Sequence, residues 1–238
     1  MANPRLVADT NFHRLGGNPY PGRGLILGRD ETGEHLVQLY FLMGRSENSR
    51  NRVLRQDGSR LFTNFAEDLG GDSSLVIYDA MLAEKGNFVV SNGDQTLTVI
   101  KGLRTGASFE ETLQLRTFEP DDPSFTPRIT GLCSTRDGPV LQFSVLRRSP
   151  WSFPERHTFA KDDVAPGFGY GIHTYRDNGD PLPSWNGEPV LLPLRGGMRE
   201  IADTYWNHLN PDFRVSLAVR FIHHEREIIE TLIINARE

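Results

Sequence analysis

The densest cationic stretch of the chain is Arg45-Ser-Glu-Asn-Ser-Arg-Asn-Arg-Val-Leu-Arg55, with four arginines in eleven residues. Guanidinium forks donate two parallel hydrogen bonds to phosphate oxygens, and interleaved Ser and Asn side chains can complete such a cradle. The same composition also describes a solvated polar loop. No aromatic residue interleaves the charges, which argues against a nucleic-acid track. A second candidate is Ser91-Asn-Gly-Asp-Gln-Thr96. Asn-Gly between strand-like runs is the signature of a type I′ hairpin turn. A tight turn of this kind also exposes backbone N–H groups and an Asn amide suited to a carbonyl or a purine. The third is Phe118-Glu-Pro-Asp-Asp-Pro-Ser-Phe-Thr-Pro-Arg-Ile129, which carries Glu119, Asp121 and Asp122 beside three prolines and Arg128. A carboxylate next to Arg128 can act as an acid or base tuned by its neighbours. Alternatively the segment is a helix end running into a proline-stiffened connector.

Other chemistries find little support. The seven histidines are scattered, and only His223 and His224 are adjacent. Neighbours on a strand point to opposite faces, so these two cannot share a metal ion. No metal and no bound cofactor is expected. Phosphate-loop and dinucleotide glycine signatures are missing. Cys133 is the only cysteine and lies in an apolar, strand-like run. It reads as a small buried hydrophobe, and no disulfide or oxidising compartment is required. Met1–Tyr20 has no apolar core resembling a signal peptide, and no run approaches the roughly 18–20 apolar residues of a membrane span. The expectation is a cytoplasmic protein with no membrane partner.

Composition sets the frame for these residues. The chain has 238 residues, 37% hydrophobic and 24% charged, with a net charge of −5. That is a globular composition and a poor one for a dedicated nucleic-acid binder. Of 26 basic residues only Lys85, Lys101 and Lys161 are lysines. Base composition explains a general arginine excess; arginines gathered in motifs would point to bidentate anion recognition.

Strand signals dominate the elements that must position these groups. Gly24–Gly28 and His35–Met43 flank Gly33, which suits a hairpin turn. Leu75–Leu82 and Asn87–Ser91 form a second pair, and Thr96–Ile100 reads as another short strand. Arg128–Cys133 and Val140–Arg147 make a third hairpin around Arg136-Asp-Gly138. Phe213, Val215, Leu217, Val219 and Phe221 alternate with other residues at a period of two, and Glu227–Asn235 follows as an antiparallel partner. Ser108-Phe-Glu-Glu is a capping box opening a helix to about Phe118. Met198, Ile201, Ala202, Tyr205, Trp206 and Leu209 mark one buried face of a second helix. The first twenty residues are polar and turn-rich, and are expected to wrap the surface. These features give an α+β fold with layered antiparallel sheets in a single domain over residues 1–238.

In order along the chain, Tyr20-Pro-Gly-Arg-Gly-Leu-Ile-Leu-Gly28, Tyr40 with Arg45-Ser46 and Asn51-Arg52, Tyr78, Val89-Val-Ser-Asn-Gly93, and Thr126-Pro-Arg-Ile129 form one series. The series resembles the archaeal-type inosine monophosphate (IMP) cyclohydrolase family. Gly169–Tyr175 and Asp180–Glu188 look like segments of longer bacterial relatives. One departure is that Glu-Asn-Ser-Arg follows Arg45-Ser46 where the family pattern has Phe-Pro, so the second cationic role falls to either Arg50 or Arg52. The resemblance implies a four-layer αββα sandwich like that of N-terminal-nucleophile hydrolases, without the nucleophile; Met1-Ala2-Asn3 offers none.

The family's reaction closes 5-formamidoimidazole-4-carboxamide ribotide to IMP with loss of water. The resemblance then implies Arg45, Tyr78 and Glu119 as the catalytic set. Arg23, Ser46, Arg52, Asn92, Gly93 and Arg128 would bind substrate, with Asp121 and Asp122 as substitutes for Glu119. Arg23, Arg45 and Arg52 would serve phosphate binding and charge stabilisation. The partner is a small purine ribotide, with room for a homo-oligomer. A non-catalytic ribotide-binding protein is the alternative; an amidohydrolase of the same fold is disfavoured by the missing nucleophile. Trp151–Glu188 has no assigned role.

Overall fold

The computed structural model describes residues 3–67, 76–136, 140–223, 225–226 and 228–237. Parts of the predicted hairpins (Leu75, Asp137-Gly138), His224, Glu227 and the Met1-Ala2 pair lie outside them. The chain opens with α1 (Pro4–Gly17), β1 (Arg23–Arg29), β2 (His35–Met43), α2 (Glu47–Arg50), β3 (Arg52–Asp57) and β4 (Arg60–Phe65). It continues through β5 (Asp79–Glu84), β6 (Asn87–Ser91), α3 (Gln95–Arg104), α4 (Phe109–Leu113), β7 (Arg128–Ser134) and β8 (Leu141–Arg148). It ends with β9 (Pro154–Lys161), β10 (Phe168–His173), β11 (Val190–Pro193), α5 (Met198–His208), β12 (Arg214–His223) and β13 (Ile229–Asn235).

The strands form two antiparallel sheets, of order β11-β10-β1-β2-β12-β13 and β3-β4-β5-β6-β7-β8-β9. Alternation decides which faces meet. Leu25, Leu27, Tyr40 and Leu42 of the first sheet pack against Leu54, Val90, Ile129 and Phe143 of the second. On the outer face of the first sheet, Ile26, Leu39, Phe41 and Val219 meet Leu15 of α1 and Ile201, Ala202 and Tyr205 of α5. On the outer face of the second, Val89 and Leu132 meet Val99 and Ile100 of α3 and Phe109 and Leu113 of α4. The protein is therefore α+β, with helices covering both outer faces of a two-sheet stack. Among the described residues no helix is long and apolar enough to cross a membrane.

Three sequence expectations need correction. The first twenty residues do not merely wrap the surface; most of them form α1. Pro4 stands at the first helical position, where its missing N–H costs nothing, and the Asn3 side chain accepts from Arg5 N at 3.0 Å. Only Ala8 and Leu15 of this helix are buried, so no apolar stripe announces it. Thr96–Ile100 is not a strand but the body of α3. Its β-branched residues favour extended backbone, yet Gln95, Thr96, Val99 and Ile100 are buried on one helical side, and packing overrides propensity. Finally, α4 does have its capping box but stops at Leu113. Phe109 and Leu113, four apart, are its buried pair, and Leu115 is 95% exposed, so nothing continues the face.

Candidate active site

Within each antiparallel sheet, strand starts and strand ends alternate along one edge of the stack. At one such end β1, β3, β5 and β7 begin while β2 and β6 finish. Side-chain parity then selects what points between the sheets. Arg23 is in phase with Leu25 and Leu27, Tyr40 with Leu42, Arg52 with Leu54, and Tyr78 with Ala80, all four of these pairings leading into the inter-sheet core. The loop after α4 closes this end by bringing in Glu119, which is 3% exposed.

The contacts define one cluster. Tyr40 and Tyr78 hydroxyls lie 2.7 Å apart. Arg23 donates to Glu119 Oε2 at 3.0 Å. Asn92 Nδ2 reaches Glu119 Oε1 at 3.4 Å and Pro127 O at 2.9 Å, while its Oδ1 accepts from Ile129 N at 2.8 Å. Gln95 Nε2 also donates to Asn92 Oδ1, at 3.0 Å. Arg128 donates to Gln95 Oε1 and Asp94 Oδ1, both at 2.8 Å. Tyr175 joins from the segment after β10 through its hydroxyl contact with Thr126 Oγ1, and Thr126 also bonds Asp121. Because Glu119 N donates to Thr126 O at 2.9 Å, the Asp121–Thr126–Tyr175 chain fixes the loop that carries Glu119.

Gly93 is not in a hairpin turn. It links the end of β6 to α3, and a Cβ there would fall 2.6 Å from both a guanidinium nitrogen of Arg128 and Gln95 Oε1. Glycine at this position lets the Arg128–Gln95 pair pass close to the backbone.

Burial governs the protonation of the cluster. Removal from water raises the Glu119 pKa, and the opposing charges of Arg23 and Arg128 do not cancel that effect. Arg23 is lowered by burial but held well above its ordinary value chiefly by Glu119. A guanidinium is charged near neutrality in either case, so the proton of this pair is decided by Glu119. Burial also raises Tyr78, against the charges of Arg52 and Arg23 and a hydrogen bond from Tyr40. Tyr40 is pushed up further, by burial and then by Tyr78 itself. Both are neutral phenols at neutral pH. Among the described residues no group of three or more His, Cys, Asp or Glu side chains is placed to hold a metal ion.

Other predicted site residues sit apart. Arg45 is exposed, donates to Asn178 Oδ1 at 2.9 Å and Gly179 O at 2.7 Å, and stacks over the Tyr20 ring at 5.3 Å. The structure does not bring its head group to Tyr78 or Glu119. Ser46 is the N-cap of α2. Arg52 is buried and donates to Ser49 O at 2.9 Å and Met43 O at 3.1 Å, whereas Arg50 packs on the Phe213 ring at 5.6 Å; of the two, Arg52 faces the cluster. Asp121 is committed to Thr126, and Asp122 is exposed. Sequence reasoning gave no role to Tyr40, Gln95, Thr126 or Tyr175. Tyr40 was findable from its phase with Leu42; Tyr175 was not, because only the fold brings residue 175 to residue 126. Two cavities, of about 230 Å³ under α1 on the outer face of the first sheet and about 530 Å³ beside the Pro123–Phe125 tip, have neither Tyr78 nor Glu119 in their linings.

No curated protein matches the chain. A family model described as IMP cyclohydrolase-like protein matches residues 20–226, a span that contains every member of the cluster. The chain belongs to the IMP cyclohydrolase-like family.

Proposed function

We propose that the protein closes 5-formamidoimidazole-4-carboxamide ribotide to IMP, with loss of water. The observation that carries this reading is the meeting of the Tyr40–Tyr78 pair with the Arg23–Glu119–Asn92 group at one end of the sheets. The substrate's carboxamide nitrogen attacks its own formyl carbon, so no protein nucleophile is needed. Holding the two groups face to face supplies up to roughly 7–11 kcal/mol of the barrier for well-oriented pairs. As the new C–N bond forms, negative charge grows on the formyl oxygen, and the Tyr78 hydroxyl donates to it. Tyr40, by donating to Tyr78, leaves the Tyr78 proton free for that task. The resulting hydroxyl leaves as water after protonation by Glu119, whose raised pKa favours the acid form. The proton shed by the attacking carboxamide nitrogen goes to the formyl oxygen to make that hydroxyl. The former formamide nitrogen returns its proton to the Glu119 carboxylate as the C=N bond forms, so the water carries away one hydrogen from each nitrogen. Arg23 and Arg52 offset the developing charge. Asn92, held by Gln95, spends its amide protons on Pro127 O and Glu119 and so orients the Glu119 carboxyl, while Arg128 presents its remaining guanidinium N–H groups to the carboxamide.

We read the two sheets and their outer helices as the αββα sandwich of N-terminal-nucleophile hydrolases, used here for a reaction in which the substrate supplies its own nucleophile. Purified protein incubated with the formylated ribotide is expected to yield IMP, followed chromatographically. Ribotide binding without IMP formation would instead identify a non-catalytic binding protein.

A further inference from the structure

Trp151–Glu188 has no role assigned from sequence, and part of it walls the cavity of about 530 Å³. The facing wall is Pro123–Phe125, the tip of the loop that carries Glu119. Three arginines line this space: Arg147 and Arg148 from the end of β8, and Arg176 beyond β10. Their charges are not equivalent. Arg147 is compensated by Glu155 at 2.8 Å. Arg148 is held in place by stacking 3.9 Å over the Phe125 ring and by donating to Ser152 Oγ at 2.8 Å, with no carboxylate partner among the described residues. The Arg176 side chain makes no hydrogen bond or ion pair among the described residues, and neither do the side chains of Ser124, Ser184 and Asn186 on the same lining.

The lining therefore offers two uncompensated guanidinium charges and several unused hydrogen-bonding groups. A phosphate monoester carries about −1.5 to −2 charges at pH 7, which matches two guanidinium groups; a single carboxylate would leave one unmatched. The arginines of the cluster are already engaged, Arg23 by Glu119, Arg52 by two backbone carbonyls and Arg128 by Asp94 and Gln95, and outlying Arg45 is held by Asn178 and Gly179. We propose that this cavity is a phosphate-monoester subsite, with Arg148 and Arg176 as its anchors, and that it receives the ribotide phosphate while the other side of the same loop presents Glu119. This rests on the ribotide reading given above. It gives the 151–188 segment, through Arg176, a share with Arg148 of β8 in binding the phosphate, a recognition role separate from ring closure.

The test is calorimetric binding of IMP, inosine and inorganic phosphate to the full chain, to Arg176→Ala and to Arg148→Ala, with Arg55→Ala as a control on an exposed arginine outside the cavity. Each cavity variant is expected to weaken IMP about tenfold, the usual scale for losing a charge-assisted hydrogen bond, with inosine affinity within about twofold of the parent. The control should bind IMP like the parent. Arg176 is exposed, so its variant folds even if loss of the Arg148–Phe125 stack disturbs the loop. Unchanged IMP affinity in both cavity variants, an equal loss for inosine, or an equal loss in the control overturns the subsite. Inorganic phosphate binding that needs both arginines, with IMP affinity independent of them, assigns the cavity to free phosphate and overturns the ribotide assignment. Protein that binds IMP through these arginines yet forms none from the formylated ribotide overturns ring closure and leaves the subsite standing.

Discussion

Two hydroxyls 2.7 Å apart use one proton for the bond between them, so one proton remains for a third partner. In the Tyr40–Tyr78 pair that third partner is best served by Tyr78, because burial and then Tyr78 push Tyr40 well above its ordinary value; Arg23 and Arg52 oppose the rise at both phenols, but the hydrogen bond between them raises Tyr40 and lowers Tyr78. Glu119 supplies the complementary feature, a carboxyl kept protonated by burial beyond its ordinary range. Its unfolded form loses the proton first, so between the unfolded and folded pKa values the folded state holds more protons, and stability falls as pH rises through that window. Glu119→Gln is expected to flatten this part of the stability profile, measured by thermal melts across the mildly acidic range. The same substitution should lower kcat by about 10²–10⁴-fold, the usual worth of general acid–base catalysis, and remove the alkaline fall in kcat that the Glu119 proton sets. A melt profile with the parent's slope would show that Glu119 titrates normally.

At the scale of elements, the site is a property of strand ends. The hairpins of β1 with β2, β5 with β6 and β7 with β8 were legible because their alternation and turn glycines are local signals; Gly33, at φ +77°, occupies the turn its spacing announces. Arg23, Tyr78, Asn92, Glu119 and Arg128, read from motifs, are indeed brought together, whereas Arg45 and Ser46 are spent on a surface contact and a helix cap. What could not be read is equally physical. The Asn-Gly signal looks like a hairpin because the same dipeptide serves a strand-to-helix turn when buried packing rewards a helix next. Polar β3, whose first residues lie in the arginine-rich stretch, and polar edge strand β9 carry little hydrophobic alternation, so only their neighbours in the sheet define them. The 92–95 turn is a sharp test. Gly93→Ala should displace Arg128 and Gln95, costing about 1–3 kcal/mol of stability, the usual range for overpacking, together with a loss of ribotide turnover; denaturant melts and kinetics measure both. A variant as stable and active as the parent would remove the close approach from the account.

Across the whole molecule, the inter-sheet core holds the two sets of strand ends in register. Gln38 crosses it, donating to Phe88 O at 2.8 Å. Phe143 is fully buried within it, and Phe143→Ala should cost about 3–5 kcal/mol, the range for emptying a buried aromatic site; a change under 1 kcal/mol in denaturant midpoint analysis would argue against this packing. The arginine excess also resolves at this scale. Many arginines are exposed, but Arg220 is fully buried, bonded to Ser59 O at 2.8 Å and Thr231 Oγ1 at 3.3 Å, and burial lowers its pKa to about 10. It ties β12 to the β3–β4 turn, away from the end where Arg23, Arg52 and Arg128 serve the cluster. A net charge of −5 therefore says little about a site built from a few local guanidinium groups. The most direct measurement of the central claim is the single-turnover rate of IMP formation from the formylated ribotide by the parent protein and by Tyr78→Phe, with ribotide affinity measured in parallel. The account predicts IMP formation by the parent, a rate about 10²–10³-fold lower in the variant, as for loss of one oxyanion donor, and affinities within about twofold of each other. Equal rates, or no IMP from the parent, would contradict it.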